Sequence, residues 1–121
     1  DWYGIEHVYC SIDTVEFYNP KVIAATMGSF IRVNAHYVAL ENFIKTLEMP
    51  VYGAFLGGKN IHHFSFEKPF GMVIGSESHG VSPEIEKLIT EKITIPRIGS
   101  AESLNAGVAT GIILDNIFRE I

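Results

Sequence analysis

Apolar positions fall in short runs broken by glycine, proline and small polar residues, and the spacing within each run predicts alternating strands and helices. Residues 5–11 read as the first strand. Asn19-Pro20 is a helix start, with Asn19 as the cap and Pro20 in the first helical position; Val22, Ile23, Thr26 and Met27 then share a face until Gly28 ends the helix. Residues 31–34 predict a short strand. Leu40, Phe43, Ile44 and Leu47 give residues 38–47 helical spacing, stopped by Pro50. A β-rich run over 51–56 ends at Gly57-Gly58, residues 60–66 are polar and aromatic without a period, and 70–74 form the next strand. Ser82-Pro83 opens a helix over about 84–90, whose early carboxylates Glu84 and Glu86 suit its positive end. After a short strand at 93–95, the spacing of Leu104, Val108 and Ile112, with Ile113 and Ile117 beside them, predicts a long C-terminal helix. Gly107 and Gly111 give that helix a small-residue stripe on which another backbone can approach closely.

Strands that alternate with helices and read as continuous apolar runs imply an α/β fold, a mostly parallel sheet flanked by helices. With 121 residues, 47% of them hydrophobic, the chain is long enough for one core and too short for two, so residues 1–121 are expected to form a single domain. No internal repeat, linker or low-complexity tract interrupts it.

Charge and cysteine usage narrow the function classes. Nine Lys and Arg against 14 Asp and Glu leave a net charge of -5, which argues against unspecific nucleic-acid binding by this segment alone; an RNA partner would need a local basic patch or a further module. The single cysteine, Cys10, excludes an internal disulfide framework and a cysteine-ligated zinc cluster, and fits a reducing cytoplasm. No apolar run reaches membrane-spanning length, so a soluble protein is expected. The first residues show neither an initiator methionine nor a signal sequence, and the chain reads as a fragment whose preceding element has been removed.

The candidate chemistry sits in two glycine-punctuated segments, 71–82 and 93–105. In each, a buried strand runs into a loop of exposed backbone and small polar side chains, whose last peptide groups are left for a ligand or another loop. Ligands of parallel sheets gather beyond the carboxyl ends of strands, where Leu56-Gly57, Gly75-Ser76-Glu77 and Pro96-Arg97-Ile98-Gly99 fall, so a composite site is expected. A P-loop lysine and a helix-opening GxGxxG are both missing. Several residues also have plainer readings. Glu77 could cap loop amides, Ser103 and Asn105 fit a helix start, and Cys10 reads as a small core residue. His62-His63 has no third ligand at sensible spacing, and His79 reads as an exposed loop histidine. Phe64, Phe66 and Phe70 could stack on bases, although core or dimer packing is commoner.

The run Gly75-Ser76-Glu77-Ser78-His79-Gly80, then Ile95-Pro96-Arg97-Ile98-Gly99 followed by Ser103-Leu104-Asn105, resembles the second and third motifs of the SpoU-type RNA ribose methyltransferases of the SPOUT superfamily. The upstream Asn19-Pro20-Lys21 and Met27-Gly28-Ser29 look like the same domain. The resemblance implies a C-terminal deep trefoil knot, an exception to the usual avoidance of knots. It further implies bound S-adenosylmethionine, methyl transfer to a ribose 2′-hydroxyl of tRNA or rRNA, and a homodimer. Carried over by position, Gly75, Ile95 and Leu104 line the cofactor site, with Leu56, Gly57 and Ile98 as neighbours. Glu77, Ser103 and Asn105 take the catalytic positions, ordering the loops and orienting cofactor or RNA at the transfer point. Arg97 stands where the family usually has an apolar residue and could reach the RNA backbone. The family's first motif, with its helper arginine, would lie before the first strand, so this segment alone is expected to transfer methyl slowly or not at all. The alternatives are a non-catalytic knotted RNA-binding or dimerisation module, or a nucleotide-binding α/β domain of another type.

Overall fold

The computed structural model describes residues 1–119, which divide into two compact units, Asp1–Phe43 and Ile44 onward. The chain is a mixed α/β protein in which every strand pairing within the sheets is parallel. Where one sheet was expected, hydrogen bonding defines two, one in each unit.

In the first unit, β1 (His7–Cys10) pairs with β2 (Asn34–Tyr37), His7 opposite Asn34 and Cys10 opposite Tyr37. Helix α1 (Pro20–Ala25) starts as its sequence predicts: Pro20 occupies the first turn, and the Asn19 side chain accepts from the Lys21 amide at 2.9 Å. The second strand begins later than expected. A 3-10 turn over Ser29–Ile31 holds the backbone with the Ser29 carbonyl, which accepts from the Arg32 and Val33 amides, so extended structure resumes only at Asn34. On the sheet, Tyr9 stacks on His36 and on Phe43, with ring centres 4.8 and 3.9 Å apart.

Helix α2 (Leu40–Lys45) carries the chain into the second unit. There, β3 (Val51–Asn60) is the middle strand between β4 (Gly71–Val73) and β5 (Glu91–Thr94), and helices α3 (Pro83–Glu86) and α4 (Ala106–Phe118) follow β4 and β5. The core joins sheet and helix: Tyr52, Ile61, Ile93, Ile113 and Ile117 pack together, with Phe64, Phe66 and Phe70 against them. Phe64 and Phe66 meet the Tyr52 ring edge-on, and the Tyr52 hydroxyl accepts from the Glu67 amide at 3.0 Å. These aromatics therefore pack into the core.

Two boundaries in this unit depart from expectation. Gly57-Gly58 does not end β3. The strand bulges out over residues 55–58 and rejoins, so that Ala54 and Lys59 both face Ile93. Gly58 makes this possible, because a Cβ there would lie 2.7 Å from the Lys92 carbonyl oxygen. The expected helix over 84–90 is one turn of α-helix that relaxes into i to i+3 bonds at Leu88 and Ile89, before the Thr90 amide joins the Val51 carbonyl.

Candidate active site

The two glycine-punctuated loops and the β3 bulge surround one open cavity of about 1110 Å³. Leu56, Gly57, Gly75, Glu77, Ile95, Arg97, Ile98, Ser103, Leu104 and Asn105 all line it, so the residues nominated from sequence are brought together.

Each wall has a local cause. The loop after β4 closes on itself: the Ser76 amide donates to the Gly80 carbonyl and the Gly80 amide to the Ser76 carbonyl, at 3.2 and 2.9 Å. Only glycine fits at its neck, since a Cβ on Gly75 would stand 2.5 Å from the carbonyl carbon of Gly80. The bulge of β3 is tied to β5 by the Thr94 hydroxyl, which donates to the Leu56 carbonyl at 3.1 Å and leaves the Leu56 side chain three-quarters exposed. In the loop after β5, the Arg97 guanidinium donates to the Ala101 carbonyl at 2.9 Å and braces the turn from which Ile98 projects fully into solvent.

Asn105 joins the two loops. Its side-chain oxygen accepts from the Gly107 and Val108 amides, at 2.9 and 3.2 Å, capping α4. Its amide nitrogen donates to Glu77 across a long 3.4 Å. Glu77 is thus held by the asparagine side chain, and α4 starts just after Leu104 instead of at it. Leu56, Ile98 and half-exposed Leu104 give the cavity apolar walls beside backbone polar groups, a composition suited to a flat heterocycle with polar edges.

Thr94 and Ser76 were missed by sequence reading. The glycine pair at 57–58 hints at a bulge that needs a tie, and serine opening a glycine loop hints at a local turn bond; the Ser76 hydroxyl accepts from the His79 amide at 3.0 Å. Outside the cavity, burial pushes the Cys10 thiol above its ordinary pKa, away from nucleophilic use. His62 faces Asn116 at 3.4 Å, and among the described residues no three His, Cys, Asp or Glu side chains are grouped to hold a metal. No helix among them is long and apolar enough to cross a membrane.

The family model for the SpoU rRNA methylases matches residues 1–115. The chain belongs to the SpoU rRNA methylase family. Among curated relatives of this SpoU chain, the tRNA (guanosine(18)-2′-O)-methyltransferase of Aquifex aeolicus is 51% identical over 61 residues, covering 50% of the chain and 29% of that protein. A Porphyromonas gingivalis structure assigned to the TrmH family of RNA methyltransferases superposes with TM-score 0.89 at 36% identity, over 100% of the chain and 51% of its own. The SpoU methyltransferase AviRb of Streptomyces viridochromogenes, solved in complex with the cofactor AdoMet, gives TM-score 0.87 at 25% identity, over 98% and 51%. The SpoU chain therefore spans about half the length of these solved relatives and under a third of the Aquifex enzyme.

Proposed function

We propose that this chain is part of an S-adenosylmethionine-dependent RNA methyltransferase that acts on a ribose 2′-hydroxyl of tRNA or rRNA. The observation that carries the reading is the single cavity lined by both family motifs. We read residues 1–121 as one SpoU-like domain with a C-terminal trefoil knot, working as a cytoplasmic homodimer. Support for the dimer comes from α4, which exposes Val108 and Ile112 beside Gly111, where a Cβ would meet nothing within 4 Å.

The cavity volume slightly exceeds that usual for small-ligand sites, and its apolar walls with free backbone edges fit an adenosyl group. S-adenosylmethionine, when bound, supplies an electrophilic methyl group. The residues of this chain do the rest. Leu56, Ile98 and Leu104 cover the faces of adenine, and backbone at Gly57, Gly75 and Ile95 reads its edges. Glu77, Ser103 and Asn105 fix the loops so that the hydroxyl, methyl and sulfur align, which a weak nucleophile requires. Arg97, with one guanidinium nitrogen on Ala101, offers its others to an RNA phosphate.

The deciding experiment is calorimetric titration with S-adenosylhomocysteine, beside Leu104→Arg. Saturable one-site binding, abolished by the substitution in a chain that still folds, is expected. A folded wild-type chain that binds nothing would overturn the reading in favour of a non-catalytic module.

A further inference from the structure

The cavity wall made by β3 is the part of the site with the least to hold it. Ala54 and Lys59 both face Ile93, so the pairing with β5 passes over residues 55–58, and two of those four residues are glycines. Glycine outside a ladder has more conformational freedom to lose than any other residue. Nothing lies within 4 Å of where a Cβ on Gly57 would stand, and the Leu56 side chain is three-quarters exposed, so side-chain packing does not fix the crest of the bulge.

One residue of β5 takes over that task. The Thr94 carbonyl accepts from the Ile61 amide at 3.1 Å, just past the point where the strands rejoin, and the Thr94 hydroxyl donates to the Leu56 carbonyl at 3.1 Å. The same hydroxyl lies 3.4 Å from the Ile95 carbonyl, but it carries a single proton, and the shorter contact takes it. Among the described residues, no other side chain hydrogen-bonds to residues 55–58. Leu56, Gly57, Thr94 and Ile95 all line the cavity.

Resting on the methyltransferase reading above, we infer that Thr94 is a positioning residue for the cofactor: its hydroxyl holds the β3 bulge, before any ligand arrives, in the shape that receives the adenosyl group. A wall that is loose in the free protein must be ordered by the ligand, and the entropy lost in doing so is subtracted from affinity. Thr94 acts through Leu56 and Gly57 and not on the transferred methyl group.

The test compares Thr94→Val, which keeps the branched shape and loses the donor, with Thr94→Ser, which keeps the donor. Calorimetric titration with S-adenosylhomocysteine and amide hydrogen exchange followed by NMR are the two measurements. Thr94→Val is expected to bind about two- to tenfold more weakly, as befits the loss of one hydrogen bond, through a less favourable binding entropy. Thr94→Ser should bind like wild type. In ligand-free Thr94→Val the amides of Leu56, Gly57 and Gly58 should exchange faster than in wild type, and slow again once S-adenosylhomocysteine is bound. Those of Tyr52 and Ile113, in the core, should not change, which separates loosening of the bulge from a general loss of stability. Wild-type affinity in Thr94→Val, failure of Thr94→Ser to restore binding, or unaltered exchange over 56–58 overturns the inference. Failure of the wild-type chain to bind S-adenosylhomocysteine would sink the methyltransferase reading and the cofactor role of Thr94 with it, while the exchange rates would still report whether Thr94 orders the bulge.

Discussion

The two units of this chain are held together by different means. The buried apolar side chains Ile44, Val51, Tyr52, Ile61, Ile85, Ile93, Ile113 and Ile117 all belong to the second, whereas residues 1–43 contain none buried to that degree. The first unit relies on local devices: the Asn19 cap, the stack of Tyr9 with His36 and Phe43, and the ion pair of Asp1 with Arg32. The second fastens a parallel sheet to α4 through a shared core, and the cavity loops spring from that fastened part. A site that must hold several groups in register gains from such support, because loops anchored on packed elements keep their geometry.

The largest expected effect breaks this comparison at the core. Ile61 is fully buried and does not line the cavity, so Ile61→Ala should cost about 2–5 kcal/mol in urea unfolding. Ile12→Ala, at a three-quarters exposed position of the first unit, should stay within about 0.5 kcal/mol. Equal losses would show that the apolar surface of the first unit is buried in solution.

Two glycines sharpen the contrast within the cavity itself. Gly75→Ala places a methyl against the Gly80 backbone and should destabilise by about 1–3 kcal/mol, with a matching loss of S-adenosylhomocysteine affinity. At Gly57 the same change meets nothing within 4 Å, and its melting temperature should equal that of wild type.

A smaller effect compares the two helix caps. Asn105→Ala removes the acceptor for two α4 amides and the donor to Glu77, and Asn19→Ala removes one acceptor at α1. Both losses should fall within about 0.5–2 kcal/mol, with Asn105→Ala the larger and the only one to weaken cofactor binding. A cofactor affinity untouched by Asn105→Ala would mean that the cap alone explains this residue.

How far these features were legible in the sequence follows from the range of the forces involved. Asn19-Pro20 and Ser82-Pro83 announce helix starts because capping is settled within three residues. Residues 60–66 had no readable period because their burial is tertiary: Ile61 is fully covered, and Phe64 and Phe66 close on Tyr52, which lies on β3. Gly57-Gly58 looked like a strand end because a bulge and a terminus use the same residue, and only the pairing with β5 separates them. The site loops were legible as motifs and glycine breaks, whereas the ties that shape them, from Thr94 to Leu56 and from Asn105 to Glu77, join residues 38 and 28 positions apart. The division into two units has no local signature at Phe43, which sits inside the helical spacing of α2.

The smallest effect concerns Cys10, on β1 of the loosely covered first unit. Burial raises its thiol pKa, so at neutral pH the folded chain holds less thiolate than an exposed cysteine would. The sign follows directly. The folded state favours the protonated thiol, so its advantage is fully present below the unfolded thiol pKa and fades as pH rises through the folded one. Alkylation by iodoacetamide should therefore be slower in the folded chain than in urea, with the gap widest near neutral pH and closing in alkaline buffer. Because the thiol is only half-buried, the contrast should be modest. Equal rates in folded and unfolded protein at neutral pH would mean that the first unit opens readily, and that its aromatic stack and caps hold it more weakly than the second unit's core holds its own strands.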